Sequence, residues 1–143
     1  MNDLHSNMRT KTAIKAGANA SAAGQAGKII DRQGYGGVEF VVAYGEITAT
    51  NCTIVVRVKE GTVTTTLTSV ADSDLIGTEV LAGVAAATPR ASGTTKNVTK
   101  RLGYKGNKRY VQFSVVSAAV SAAVKVAAVA ILHSPGLAPQ TNP

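Results

Sequence analysis

The chain has no tryptophan, two phenylalanines, four tyrosines, one cysteine and four prolines in 143 residues. A lone Cys52 excludes an internal disulfide and supplies no zinc site by itself. Only His5 and His133 could serve as imidazole bases, and they stand at opposite ends of the sequence. The most apolar stretch, residues 117–132, is interrupted by Lys125 and falls short of the about 20 residues a membrane helix needs. No membrane partner is expected. Residues 1–8 are polar and include Asp3 and His5, so no secretory signal is read there. The most informative absence is of carboxylates: none follows Glu79. Residues 1–79 hold seven cations and all eight carboxylates, whereas residues 80–143 hold eight cations alone. The formal +7 therefore resides in the second half, which points to an acidic partner, either a protein surface or nucleic acid.

What is present is Ala, Val, Thr and 14 glycines, a composition suited to sheets and tight turns. The length fits one domain with a real core. Residues 1–35 read as an extended N-terminal arm, because glycines interrupt an Ala/Ser/Asn run that lacks either period, though within it residues 10–15 and 28–30 could each make a short strand. Ordering such an arm costs about 1–2 kcal/mol per residue, which calls for a neighbouring subunit or leaves it disordered. The core is expected over residues 36–133. Val38, Phe40, Val42 and Tyr44 alternate as one strand, and Cys52, Ile54, Val56 and Val58 as another. Glu60 and Gly61 read as a turn into residues 62–68. Asp72-Ser73-Asp74 marks a further turn, and residues 82–96 read as a long surface loop. Residues 97–104 and 108–116 suggest a hairpin across Lys105-Gly106-Asn107. Residues 122–132 read as a last strand, and residues 134–143 as an extended tail. Many short strands and no long helix make the chain all-β, an antiparallel β-sandwich, jelly-roll-like.

No catalytic constellation emerges, and no enzyme activity, metal site or cofactor is expected. Cys52 opens an apolar strand face, where a small buried thiol is the plain reading. Asp72 and Asp74 lack the ligand spacing of a calcium loop. Gly34, Gly36 and Gly37 are followed by no Lys-Ser/Thr helix, so they read as a positive-φ turn leading into a strand. The one site with substance is basic. Lys100, Arg101, Lys105, Lys108 and Arg109 crowd ten residues beside Tyr104 and Tyr110, and the arm adds Arg9, Lys11 and Lys15. These eight cations are the candidate partner-binding residues. Cations beside aromatics can hold phosphates and stack bases. The same charges can meet an acidic protein or simply guard a sheet edge.

Three stretches carry a resemblance: residues 35–43 (YGGVEFVVA), 70–77 (VADSDLIG) and 103–111 (GYKGNKRYV), closed by Ile131-Leu132-His133-Ser134-Pro135. Together they resemble small virion proteins of tailed bacteriophages, of the decoration (cement) kind found with the major capsid protein. The resemblance spans residues 35–135 and lacks the aromatic that relatives carry in the stretch here occupied by residues 62–69. It implies a non-enzymatic protein on the outer capsid surface, made in the host cytoplasm, with the major capsid protein as partner and self-association, a homotrimer included. Head–tail connector, tail protein and nucleic-acid-binding module stay open as alternatives, with nucleic acid the less favoured partner.

Overall fold

The computed structural model describes residues 3–20, 24–118 and 124–137. In chain order the elements are β1 (Met8–Ala20), β2 (Gln25–Asp31), β3 (Tyr35–Tyr44), β4 (Thr53–Val63), β5 (Thr66–Ser69), β6 (Leu75–Ile76), α1 (Glu79–Ala82), β7 (Val98–Tyr104), β8 (Tyr110–Ala118) and β9 (Val124–Pro135). They build two antiparallel sheets, one ordered β1-β9-β3-β7-β6 and the other β2-β8-β4-β5. First strand meets last, β2 meets β8, β3 meets β7 and β4 meets β5, with successive pairs assigned to alternate sheets. This is a long hairpin rolled into a sandwich. Apart from the two-residue β6, it has the eight strands of a jelly roll.

Period-two side chains create the layer between the sheets. Val38, Phe40 and Val42 of β3 face Val111, Phe113 and Val115 of β8, and all are buried. The rings of Phe40 and Phe113 stack with centroids 5.1 Å apart, joining the middles of the two sheets. Strand β9 supplies the small members Ala128 and Ala130, which let the wide first sheet lie close to its neighbour.

Four expectations change. The expected N-terminal arm does not stand apart from the core: among the described residues, His5–Asn7 form a 3-10 turn, and Met8–Ala20 and Gln25–Asp31 are strands of the two sheets. β1 pairs with β9, β2 pairs with β8, and Ala13, Ile14 and Ile30 are buried. Their period was hidden because β1 slips register between Thr12 and Ile14 and again between Ile14 and Ala18, which breaks the alternation. The proposed hairpin of residues 97–116 does not exist: β7 pairs with β3 and β6, β8 with β2 and β4, so residues 105–109 cross between sheets. The turn expected at Glu60-Gly61 comes later, since β4 runs to Val63 before reversing into β5. The loop of residues 82–96 begins buried, with Val84 and Ile54 exchanging two backbone hydrogen bonds of 2.8 and 2.9 Å. Of the glycines around the start of β3, Gly34 just before it has the positive φ (+87°), whereas Gly37 within it leaves room for the His133 ring. The tail expectation falls partly on residues 138–143, outside the described residues.

Gly27 tests whether β2 belongs to the cooperative body. A Cβ there would lie 2.1 Å from the Phe113 carbonyl oxygen and 2.8 Å from that of Ala13. Gly27→Ala should lower stability by more than about 2 kcal/mol in urea unfolding. A silent substitution would return residues 1–35 to the status of a detached arm.

Candidate partner-binding surface

The β2–β3 turn and the β7–β8 crossover meet at one end of the sandwich, and Arg32 fastens them. Its Nε donates to the Lys108 carbonyl at 2.6 Å, its Nη1 to those of Tyr35 and Gly36 at 3.1 and 2.9 Å, and its Nη2 to that of Gly106 at 2.5 Å. The guanidinium also lies 5.3 Å from the Tyr104 ring centroid. Tyr104 is buried; its hydroxyl donates to Glu60 and accepts from the Lys108 amide at 3.1 Å. Burial, reinforced by Glu60, pushes that phenol above its ordinary pKa.

The opposite end repeats the device. Arg90 donates to the carbonyls of Ala49, Ala85, Thr95, Thr50 and Cys52, pinning the long β6–β7 connection to the β3–β4 loop. Lys100 Nζ donates to the Gly83 carbonyl at 2.5 Å and Lys11 Nζ to that of Asp31 at 2.9 Å. These four cations are satisfied by neutral carbonyls, so their charge is retained rather than cancelled. That is how a chain with few carboxylates can use many basic residues internally.

The eight candidate cations therefore do not form one cluster. Lys100 and Arg101 stand opposite the buried Val42 and the half-buried Val41, so they face opposite sides of the sheet. Arg101 is 83% exposed, with Nε 3.8 Å from Glu39. Arg109 pairs with Asp31 through bonds of 3.0 and 2.7 Å, and lies 4.9 Å from the Tyr110 ring centroid. The same Arg109 bond holds the Asp31 carboxyl below the usual range, against the opposing cost of burial. Lys108 is half-buried and contributes its backbone to the Arg32 staple. Arg9 is half-buried, and its Nε has no hydrogen-bond partner among the described residues. Lys15 and Lys105 are exposed and form no ion pair among the described residues. With Tyr104 in the core, the paired aromatic platform read from the sequence is lost.

Other candidates resolve simply. Cys52 is buried, and desolvation raises its thiol pKa, partly offset by Arg90. It precedes β4 at the end of the sandwich opposite His133, so no Cys–His pair forms. Asp72 and Asp74 lie in a 3-10 turn, and no group of three or more His, Cys, Asp or Glu among the described residues could hold a metal. Sequence reasoning missed Arg32, Arg90 and Glu60, whose long-range partners are 38–76 residues distant and, for the two arginines, are backbone carbonyls with no sequence signature.

No protein-family model matches the chain, and no curated protein matches it. Among solved structures, a chain of infectious bursal disease virus Gx strain is similar at 10% identity and a TM-score of 0.39. The match covers 92% of this chain and 34% of that one, so the chain spans about a third of its length. At this identity nothing about sites or partners carries over.

Three outcomes test these assignments. Arg32→Met should cost about 3 kcal/mol by stranding four carbonyls, and Arg32→Lys should not restore it, since an ammonium lacks the planar fork. Arg101→Ala, by contrast, should change stability by under about 0.5 kcal/mol. For the Arg109 pair, the depressed folded pKa of Asp31 means its stabilisation is present above the ordinary carboxylate range and is lost as pH falls through that depressed value. Urea midpoints of the parent chain and Asp31→Asn should differ at neutral pH and converge in acid.

Proposed function

We propose that this chain is a non-enzymatic virion structural protein of the decoration type, docking on the outer surface of a phage capsid and reinforcing contacts between major capsid proteins. The observation that carries the proposal is the disposition of charge. Six of the eight carboxylates, Asp3, Asp31, Glu39, Glu46, Glu60 and Glu79, are engaged by hydrogen bonds or ion pairs within the chain. Lys15, Lys28, Arg57, Lys59, Arg101 and Lys105 remain exposed. The protein thus presents a positive exterior on a rigid body, which favours docking to an acidic surface. Its resemblance to phage decoration proteins supplies the context. A jelly roll alone would not, because that fold also serves lectins and cupins.

On this reading Lys15, Arg101 and Lys105 make the outward contacts among the eight candidates, with Arg109 available in part. Arg9, Lys11, Lys100 and Lys108 act from within the fold. Repeating one modest interface over many lattice positions raises the cost of separating capsomers under the outward pressure of packaged DNA. Copies meet on the lattice as small closed oligomers, with a trimer suited to three-fold positions.

The test uses empty phage heads stripped of accessory proteins. The protein should co-sediment with them and raise the temperature at which they rupture. Arg101→Glu combined with Lys105→Glu should weaken retention by at least about tenfold, and added salt should weaken it progressively. Unchanged rupture temperature and no co-sedimentation would remove this function. Retention of bare DNA at low salt, lost steeply as salt rises, would favour the nucleic-acid alternative instead.

A further inference from the structure

The side of the sandwich between β4 and β6 carries an apolar feature unrelated to the basic residues considered so far. Thr78 caps the single turn α1 by accepting from the Leu81 amide at 3.1 Å, and α1 packs across β4 and β7. This leaves Val80 86% and Leu81 69% exposed, beside Ile76 at 55% and Val55 at 46%. Exposed aliphatic side chains gathered on one side of a small protein mark an interaction surface. Between Val55 and Val80 the surface opens into a notch of roughly 230 Å³, with Val84 and Ala85 on its wall.

The floor of the notch is the outer edge of β4, and its pairing is incomplete. Ile54 exchanges two hydrogen bonds with Val84. Val58 donates to Glu79 Oε1 at 2.5 Å and accepts from the Val70 amide at 3.1 Å. Alternation directs the N–H and C=O of the intervening Val56 to the same edge, where neither has a hydrogen-bond partner among the described residues. Val56 is buried, so both groups have lost water as well. Such a gap in an otherwise closed edge fits one more stretch of extended backbone.

Charge defines what that backbone belongs to. Arg57 and Lys59 continue the exposed face of β4 beyond Val55, and Arg101 lies beside Ile76 and Leu81. Of the nearby carboxylates, Glu79 is engaged by the Val58 amide and Glu39 offsets Arg101, which leaves Arg57 and Lys59 as the cations of this rim that form no ion pair among the described residues. A second copy of this +7 chain would bring like charge to this rim. We propose that the notch docks an extended, acidic, aliphatic segment of a partner protein, which inserts an apolar side chain beside Val80 and pairs its backbone with Val56. Reaching Val56 requires the Val80 wall to move aside, and that wall stands on one exposed helical turn. The proposal deepens the docking function above by naming where an acidic partner engages.

The probe is a fluorescein-labelled peptide of alternating valine and threonine with glutamates at both ends, compared with a lysine-ended counterpart. The acidic peptide should bind the full chain by anisotropy, and the lysine-ended one should not. Amide exchange at Val56 should slow at least about tenfold in the complex, and Val80→Asp should weaken binding at least about tenfold with an unchanged unfolding midpoint. The proposal is overturned by absent binding, by equal binding of both peptides, by indifference to Val80→Asp, or by an unprotected Val56 amide. A dimer of the chain that Val80→Asp dissolves would overturn it too, by making a second copy the occupant. Heads that retain Val80→Asp as well as the parent chain would sink the notch and leave the docking function standing. Peptide binding without any retention on heads would do the reverse.

Discussion

The pairing of β1 with β9 is the constraint on which the rest depends. It runs from Met8 opposite His133 to Ala20 opposite Val124, and it joins the two ends of the chain across the first sheet. Without it β9 would have only β3 beside it, and β1 would lose its ladder altogether. Closing a loop of this size costs chain entropy, but that cost grows only slowly with length. Burial of Ala13, Ile14, Val126, Ala128, Ala130 and Leu132 along the seam offsets it. Once the ends are joined, the nested pairs β2 with β8, β3 with β7 and β4 with β5 follow, and the loops gather at two ends of the sandwich.

Loops so gathered present carbonyl groups that no neighbouring strand can satisfy. Arg32 and Arg90 answer this at opposite ends, each drawing several carbonyls onto one planar cation. The solution suits a chain poor in buried side-chain donors, since one guanidinium offers five N–H groups in a fixed fork. It also links stability to charge. Each cation used this way holds the fold together without being neutralised, so the molecule becomes basic as a by-product of pinning its loops. Part of the +7 is therefore structural, and only the outward remainder can address a partner.

This division explains what could be read from the sequence. The alternation in Val38–Tyr44 and Cys52–Val58 marked two central strands because both have one buried face and regular pairing. β1 was legible only as a short strand at residues 10–15 within an arm, since its register slips twice and breaks the alternation. The crowding of Lys100–Arg109 was visible, but linear proximity misled. Alternation sends Lys100 and Arg101 to opposite faces, and the chain then changes sheets before Arg109. Arg32 gave no signal at all, as its partners are main-chain oxygens that any residue would have supplied. The Val55–Val80 band was equally silent, because its members come from three separate elements.

A jelly roll this small has few ways to engage a partner without disturbing its core. Its first edge, β1, is poorly suited to strand addition: register shifts bend it, Gly17 turns to a φ of +76°, and Arg9 and Lys11 stand on the face they share with the buried Leu132 and Ala130. The β4 edge is different. Among the described residues its ladder is filled on both sides of Val56 and unpaired at that residue, and aliphatic side chains flank the gap. A guarded edge at one side and a prepared gap at the other would give docking a direction, so a neighbouring segment could bind without inviting unlimited sheet growth. On the proposed docking, the basic rim would favour acidic neighbours over further copies of the same chain, coupling specificity to the charge that the loop-pinning arginines had already left uncancelled.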